Sequence, residues 1–395
     1  MKEFRRKYIQ NSIRQMTTIF WNEIVRIFTD SGVMLILFIA GLGYPILYSF
    51  VYFQESVTDV PVAIVDNDAT SASRRFCREV DATKEVELVK CVNMNDAEYL
   101  LGRRKVHAII FIPKDFDKTL VAATDQATIS VYVNMTSFFV YKSVALAVNY
   151  VMLQENRNIE IQRYEAAGET HQQALYDADP APYDAVYLFN PGDGFASFFV
   201  PGVMILIIHQ LLFIGIGMLA GTTREENKNH KLFENTIDQK RIYRVIFGKG
   251  AAYFLVYAIF SAYITVLIPR WFDLPHLAST WDIYRLLLPF LLAVIFFSFT
   301  CSVFIKNRET GMVMFLFFSV ILLFLSGVTW PLTNFPKFWK VFAYIFPSTF
   351  GIQGYLKLNT FGAEFGQILP DFIALWTQAI VYFITACFSF RYINK

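Results

Sequence analysis

The sequence predicts an α-helical integral membrane protein: six transmembrane helices, an inserted α/β extracytoplasmic domain, and cytoplasmic amphipathic N-terminal and coupling helices. Three observations carry that class. The 395 residues are 55% hydrophobic and 17% charged, against about 45–50% and about 25% in an average soluble domain. The apolar residues gather into six runs, 32–53, 198–220, 248–268, 286–305, 312–329 and 372–390, which hold no Asp, Glu or Arg and one Lys, Lys249, at an end. The charges between the runs are segregated by sign.

A helix rises about 1.5 Å per residue and the hydrocarbon core is about 30 Å thick, so about 20 apolar residues span it. Each run is near that length. Lipid offers no partner to a backbone N–H or C=O, so the runs are expected to be helices. Residues 1–31 carry Lys2, Arg5, Arg6, Lys7, Arg14 and Arg26. The run that follows is too long for the apolar region of a signal peptide, so 32–54 is expected to stay as the first transmembrane helix. Within 1–31, Ile13, Met16, Phe20, Ile24 and Ile27 fall on one side of a helix, with Trp21 as an interface anchor.

Lys and Arg concentrate in short cytoplasmic segments. The loop 221–249 has seven: Arg224, Lys228, Lys231, Lys240, Arg241, Arg244 and Lys249. The turn 306–310 has two, and the tail has Arg391 and Lys395, whereas 273–284 has none and 330–371 has three. Both termini are therefore expected in the cytoplasm, as an even number of spans requires. Residues 55–187 hold 13 Lys+Arg against 20 Asp+Glu, which leaves the remainder basic. An acidic external domain over a basic inner face suits the cell inner (plasma) membrane. The basic face reads as lipid contact; no basic–aromatic platform calls for nucleic acid.

Residues 55–187 read as α/β. Strand signals lie at 60–65, 86–91, 106–112 and 129–133. Helices are expected at 71–82 after Thr70, at 95–103 with Asn95 at the entry, and at 114–120 behind Pro113. The basic residues Arg74, Arg75 and Arg78 read as a solvated face. Residues 136–175 read as one long helical region. Its stripe of Phe138, Tyr141, Ala145, Val148 and Met152 would pack on the sheet or on a partner. Asp179-Pro-Ala-Pro ends it, and Asn190-Pro191-Gly192-Asp193-Gly194 turns the chain into the second span, which opens the region 188–395. Cys77 and Cys91 lie in this domain, and spacing alone does not decide a disulfide. Cys301 and Cys387 lie in spans as packing residues.

Catalytic signatures are missing. No Gly-x-x-x-x-Gly-Lys-Ser/Thr loop occurs; Gly248-Lys249-Gly250 lacks its spacing and hydroxyl. No zinc-protease, paired-cysteine or nucleophile-elbow motif occurs either. No catalytic, cofactor-binding or metal residue is assigned, and no cofactor is called for. His107 reads as an ordinary mid-strand side chain. His209, beside Gln210, is the ionisable group at membrane depth, where such groups are costly. A helix–helix hydrogen bond, a polar group on a substrate path and a proton relay are all open to it. The residues 330–371, rich in aromatics, suit short interfacial or re-entrant helices.

Loop 221–249 has an apolar side, Leu232, Phe233, Ile237, Ile242 and Tyr243, on a charged segment. It fits a surface helix or docking into a partner's groove. With "VAIVDNDATSASRRF", "HAIIFIPKDFDKTL", "FNPGDGFASFFVPGV" and "SGVTWPLTNFPKFWKVFAYIFPSTFGIQGY" in that order, the whole chain resembles the permease subunit of an ABC-2 type ABC exporter with a large external domain between its first two helices. Arg224-Glu225-Glu226 and Phe247-Gly248-Lys249 resemble the ends of that family's coupling segment. Residues 227–236 depart from it, lacking the usual Gly-Thr and later Pro. The resemblance implies a permease for efflux, without its own nucleotide site, that pairs with an ABC ATP-binding subunit. Coupling would run through Arg224, Glu225, Glu226, Leu232, Phe233, Arg241, Gly248 and Lys249. It implies a homodimer or a paired homologous permease around the path, and a periplasmic adaptor protein as a further partner. The alternative from another class is a membrane-anchored scaffold or receptor whose extracytoplasmic domain binds a partner. The substrate is not legible.

Overall fold

The computed structural model describes residues 2–122, 126–182, 186, 188–190, 194–227 and 242–393. Contacts divide the chain into two compact units, residues 1–55 with 187–395, and residues 56–186.

The first unit is helical. Helix α1 covers Lys2–Thr29. Among the described residues six helices are long and apolar enough to cross a membrane: α2 (Ser31–Val51), and, after the inserted unit, α8 (Phe195–Glu226), α9 (Ile242–Trp271), α10 (Thr280–Phe304), α11 (Arg308–Leu325) and α14 (Phe365–Tyr392). Each contains or overlaps one of the six apolar runs. Asp30 breaks the chain between α1 and α2 and caps α2, accepting the backbone N–H groups of Gly32 and Val33. Turns of π-helix at Ile36–Ala40 and Tyr263–Leu267 interrupt α2 and α9; no residue pattern announces them.

Helix α8 is apolar on every side and buried on nearly every side, the expected behaviour of a helix with no polar face. It packs on α10, α11 and the short helix of Pro347–Asn359, and α10 packs on α14. Helices α2, α11 and α14 bury one edge and leave apolar residues such as Phe50, Phe317 and Phe388 uncovered by the rest of the chain, as lipid-facing helices do. Polar side chains stitch the helices. The Tyr257 hydroxyl donates to Leu211 O (2.8 Å), that of Tyr263 to Leu42 O (3.0 Å), and Thr300 and Thr385 pair at 2.9 Å. Glu55 accepts from the Ser197 N–H and hydroxyl and closes the N-terminus of α8. Residues 330–371 hold two short helices, α12 (Lys337–Ala343) and α13 (Pro347–Asn359). The 13 residues of α13 reach about 20 Å, short of the about 30 Å core, yet most of them are buried. Asn359 donates to Pro275 O at its end.

In the second unit, strands β1 (Val60–Asp66), β2 (Val86–Cys91), β3 (Ala108–Ile112) and β4 (Ser130–Val133) form one sheet in the order β2-β1-β3-β4. Strands β2 and β3 flank β1 in parallel and β4 is antiparallel to β3. Strand β1 is buried over most of its length, as a central parallel strand should be. Helices α3 (Ser71–Asp81), α4 (Met94–Gly102), α5 (Phe116–Ala122), α6 (Phe138–Ala166) and α7 (His171–Ala178) connect and cover the strands. Thr70 caps α3 in a capping box with Ser73. The Asp68 carboxylate accepts from the Thr70 hydroxyl and from the N–H groups of Phe116 and Asp117, so it joins the starts of α3 and α5.

Several expectations for this unit are corrected. Asn93, not Asn95, caps α4, its side-chain Oδ1 accepting from Asp96 N–H. Helix α5 starts at Phe116, where Asp68 supplies the cap, two residues after the expected start. His107 precedes β3; its N–H donates to Pro61 O and its O accepts from Asn134 N–H. The region 136–175 is two helices, because Gly168 takes a left-handed φ of 97° and Thr170 caps α7. The stripe of α6 on the sheet is Val144, Ala147, Val148 and Val151, while Phe138 is 67% exposed. Small and β-branched side chains let the helix lie close to the strands, and bulky Phe138 stands exposed at its first position. Arg75 is not merely solvated: it grips the buried carboxylate of Glu155 with two bonds of 2.8 and 2.7 Å. Cys77 and Cys91 are free thiols.

Candidate coupling site

Of the residues expected to couple, Leu232, Phe233 and Arg241 lie outside the described residues. Arg224, Glu225 and Glu226 end α8, and Gly248 and Lys249 lie near the start of α9. Those five meet one another's surroundings through α1 and the turn before α11.

Gly248 lies where α1 crosses α9 closely. A Cβ there would stand 3.0 Å from Met16 O and from Ile19 Cγ2, so the missing side chain sets the spacing. One turn of contact further, Lys249 Nζ lies 3.0 Å from Glu23 Oε2, with side chains 15% and 5% exposed. The Tyr253 hydroxyl donates to the other oxygen of Glu23 at 3.1 Å. The carboxylate is thus paired and hydrogen-bonded on both sides, the condition for keeping a charge out of water. Arg244 donates to Gln15 Oε1 at 2.8 Å.

The same helix reaches the end of α8. Arg26 Nη1 donates to Thr223 Oγ1 (3.1 Å) and lies 3.9 Å from Glu226, an exposed pair of little energetic weight. A polar cavity of about 200 Å³ opens between them, lined in part by Arg26, Thr222 and Glu226. Arg224, nearly buried, donates to Val303 O at 3.1 Å. Glu225 accepts the backbone N–H of Arg308 at 3.0 Å. The two contacts fasten α8 to the end of α10 and the start of α11.

Gln15, Glu23 and Arg26 lie 8 and 11 positions apart, which at 100° per residue puts them within one quarter of the helix circumference. They form a polar stripe beside Ile27, which is buried, and Met16, Phe20 and Ile24, which are half-buried. Ile13, expected on the same apolar side, is 58% exposed. An amphipathic reading that follows only apolar residues passes over this stripe, although the spacing of Glu23 and Arg26 was the signal for it. The scarcity of buried charge expected for the spans holds at their centres but not at this end, where Glu23, Arg224 and Arg244 are buried.

His209 is separate from this region. It is fully buried, its ring edge-on to Phe297 with centroids 5.8 Å apart. Neither ring nitrogen has a hydrogen-bond partner among the described residues, so the helix–helix bond open to it on sequence is not made. Gln210 makes one instead, donating to Ser319 Oγ at 3.1 Å.

Residues 31–388 match the model of a family described as ABC-2 family transporter protein. No curated protein matches the chain.

Proposed function

The chain belongs to the ABC-2 family of transporter proteins, and from that premise we propose that it is the permease subunit of an ATP-driven exporter, moved by a separate ATP-binding subunit. The family's role is that of the membrane subunit of an ABC transporter, which normally pairs with such a subunit. The observation that carries the finer reading is the tie between α1 and the two helix ends that flank residues 228–241. Lys249–Glu23 holds α1 to α9, and Arg26–Thr223 holds it to α8.

A push delivered to 221–249 would therefore reach α1, α8 and α9 as one body instead of being absorbed by a loop. Nucleotide-driven closure of the ATP-binding subunit then biases a two-state bundle through this body. The basic end of the bundle faces the cytoplasm of an inner-membrane protein, both termini with it, and residues 56–186 lie outside, available to an adaptor. Two permease chains, identical or homologous, enclose the path.

Co-expression with an adjacent ATP-binding subunit tests the reading. The two should co-purify in fixed ratio, and replacing 228–241 by glycine and serine should abolish this. Retention of the ATP-binding subunit by that variant would sink the docking assignment. Phe233→Ala and Glu226→Ala should keep the complex but weaken the response of ATP hydrolysis to transport.

A further inference from the structure

We propose that the pair Asp30–Arg308 is the joint that fixes the angle between α1 and the first span and passes movement of α1 to α11. It rests on the reading that movement enters at α1 and 221–249, and it adds where that movement goes.

Asp30 is the single residue between two helices, and its backbone is extended, with ψ at 110°. Its Oδ1 accepts the N–H groups of Gly32 (3.0 Å) and Val33 (2.9 Å). A local cap of this kind starts α2 but leaves the direction of the preceding helix free. Arg308, in the first turn of α11, then takes the same carboxylate in a fork, Nη2 to Oδ1 at 2.6 Å and Nη1 to Oδ2 at 2.8 Å. A bidentate arginine fixes orientation as well as distance. The Asp30 side chain is 9% exposed and that of Arg308 28%, so water competes poorly for either.

Arg308 also holds the third element. Its Nη1 lies 3.3 Å from Thr222 Oγ1, and its backbone N–H is the donor to Glu225. Two glycines make the room. A Cβ on Gly32 would overlap Arg308 Nη2, and one on Gly221 would stand 2.6 Å from the Arg308 nitrogen. The start of α2, the end of α8 and the start of α11 thus converge on one guanidinium. A movement of α1 that displaces or turns the Asp30 carboxylate must either carry α11 with it or break two charge-assisted bonds.

The test uses the full chain with its four cysteines replaced by serine and spin labels at Thr18→Cys and Leu47→Cys, on either side of the break. Arg308→Gln leaves the Asp30 cap whole and should shift or broaden the label distance. Asp30→Asn, which can still cap, should produce the same shift, and Arg308→Lys a smaller one. In liposomes with the ATP-binding subunit, the wild-type distance should change on adding ATP with vanadate, while Arg308→Gln hydrolyses ATP and loses that change. A wild-type distance distribution in Arg308→Gln, or a nucleotide-driven change as large in that variant as in the wild type, overturns the joint. Failure of any ATP-binding subunit to co-purify counts against the exporter reading alone, because the distance without nucleotide still decides whether Arg308 sets the angle.

Discussion

Glu23 shows what a single residue contributes here. It is charged, nearly buried, and held by Lys249 and Tyr253 from one neighbouring helix. Removing one partner of a buried pair leaves the other charge without compensation, which costs about 3–5 kcal/mol. Lys249→Met is expected to lower stability by about 3 kcal/mol on that basis, and the double variant Lys249→Met with Glu23→Gln to recover most of the loss. Thermal unfolding of the purified chain in detergent checks both; a double variant no more stable than the single one would show that the pair is not the unit.

Carboxylates in residues 56–186 make a second prediction at this scale. The Arg75 guanidinium, in a two-bond grip, holds the Glu155 carboxyl below its usual range. Burial, and then the neighbouring Glu155 carboxylate, push Glu79 up. The signs oppose. The Glu155 contribution is present above its unfolded pKa and is lost as pH falls through its depressed folded value. Glu79 contributes stability below its unfolded pKa, and this is lost as pH rises through its raised folded value. Protection of α3 and α6 against amide exchange should therefore rise on mild acidification and fall in strong acid. Glu79→Gln should remove the first change and keep the second. A variant whose mild-acid profile matches the wild type would refute the assignment.

At the scale of the element, legibility follows the kind of force involved. The six apolar runs each gave a span because burying or exposing twenty apolar residues in lipid is a large effect that no local contact reverses. Strands β1 and β2 were legible from their apolar runs, and Thr70 from its capping chemistry. The errors sit where a distant residue decides. Asp68 starts α5 from 48 positions away, and Arg75 finds its partner 80 positions away. Gly168 was visible as a residue, but its left-handed turn depends on α7 folding back after it. In the candidate site Arg224–Glu226, read as one end of a coupling segment, close α8, and Gly248–Lys249, read as the other, lie near the start of α9. Their partners on α1 were missed, because the spacing of Gln15, Glu23 and Arg26 marks a polar stripe on α1 but not which helix faces it.

Gly248 allows that element-level packing to be tested. Met16 O is backbone and cannot swing aside, so a side chain at 248 must push α1 off α9. Gly248→Val should lengthen the distance between labels at Thr18→Cys and an uncovered α9 residue, Ile259→Cys, and should weaken the Glu23–Lys249 pair with it. An unchanged distance would mean that α1 is seated by its ion pairs and not by the close approach.

At the scale of the whole molecule, if the six candidate spans each cross once, the ends at residues 31, 226, 242, 304, 308 and 392 share one side. The contacts agree. Arg26 reaches Thr223, Glu225 reaches Arg308 and Arg224 reaches Val303 only if those ends are neighbours. The short loops at these ends also carry the Lys and Arg, the basis for the proposed orientation with these ends in the cytoplasm. The inserted residues 56–186 leave from the other end of α2 and return at the other end of α8. On the proposed orientation, Tyr176→Cys, at a position 77% exposed, should react with a membrane-impermeant maleimide in intact spheroplasts. Thr18→Cys should react only after the membrane is opened. Both variants are made with the four native cysteines replaced by serine, so that only the introduced thiol reports. The reverse labelling pattern would invert the whole assignment and place the ionic stripe of α1 outside, beyond the reach of any ATP-binding subunit. Labelling of both sites in intact cells would instead break the alternation, and with it the count of six.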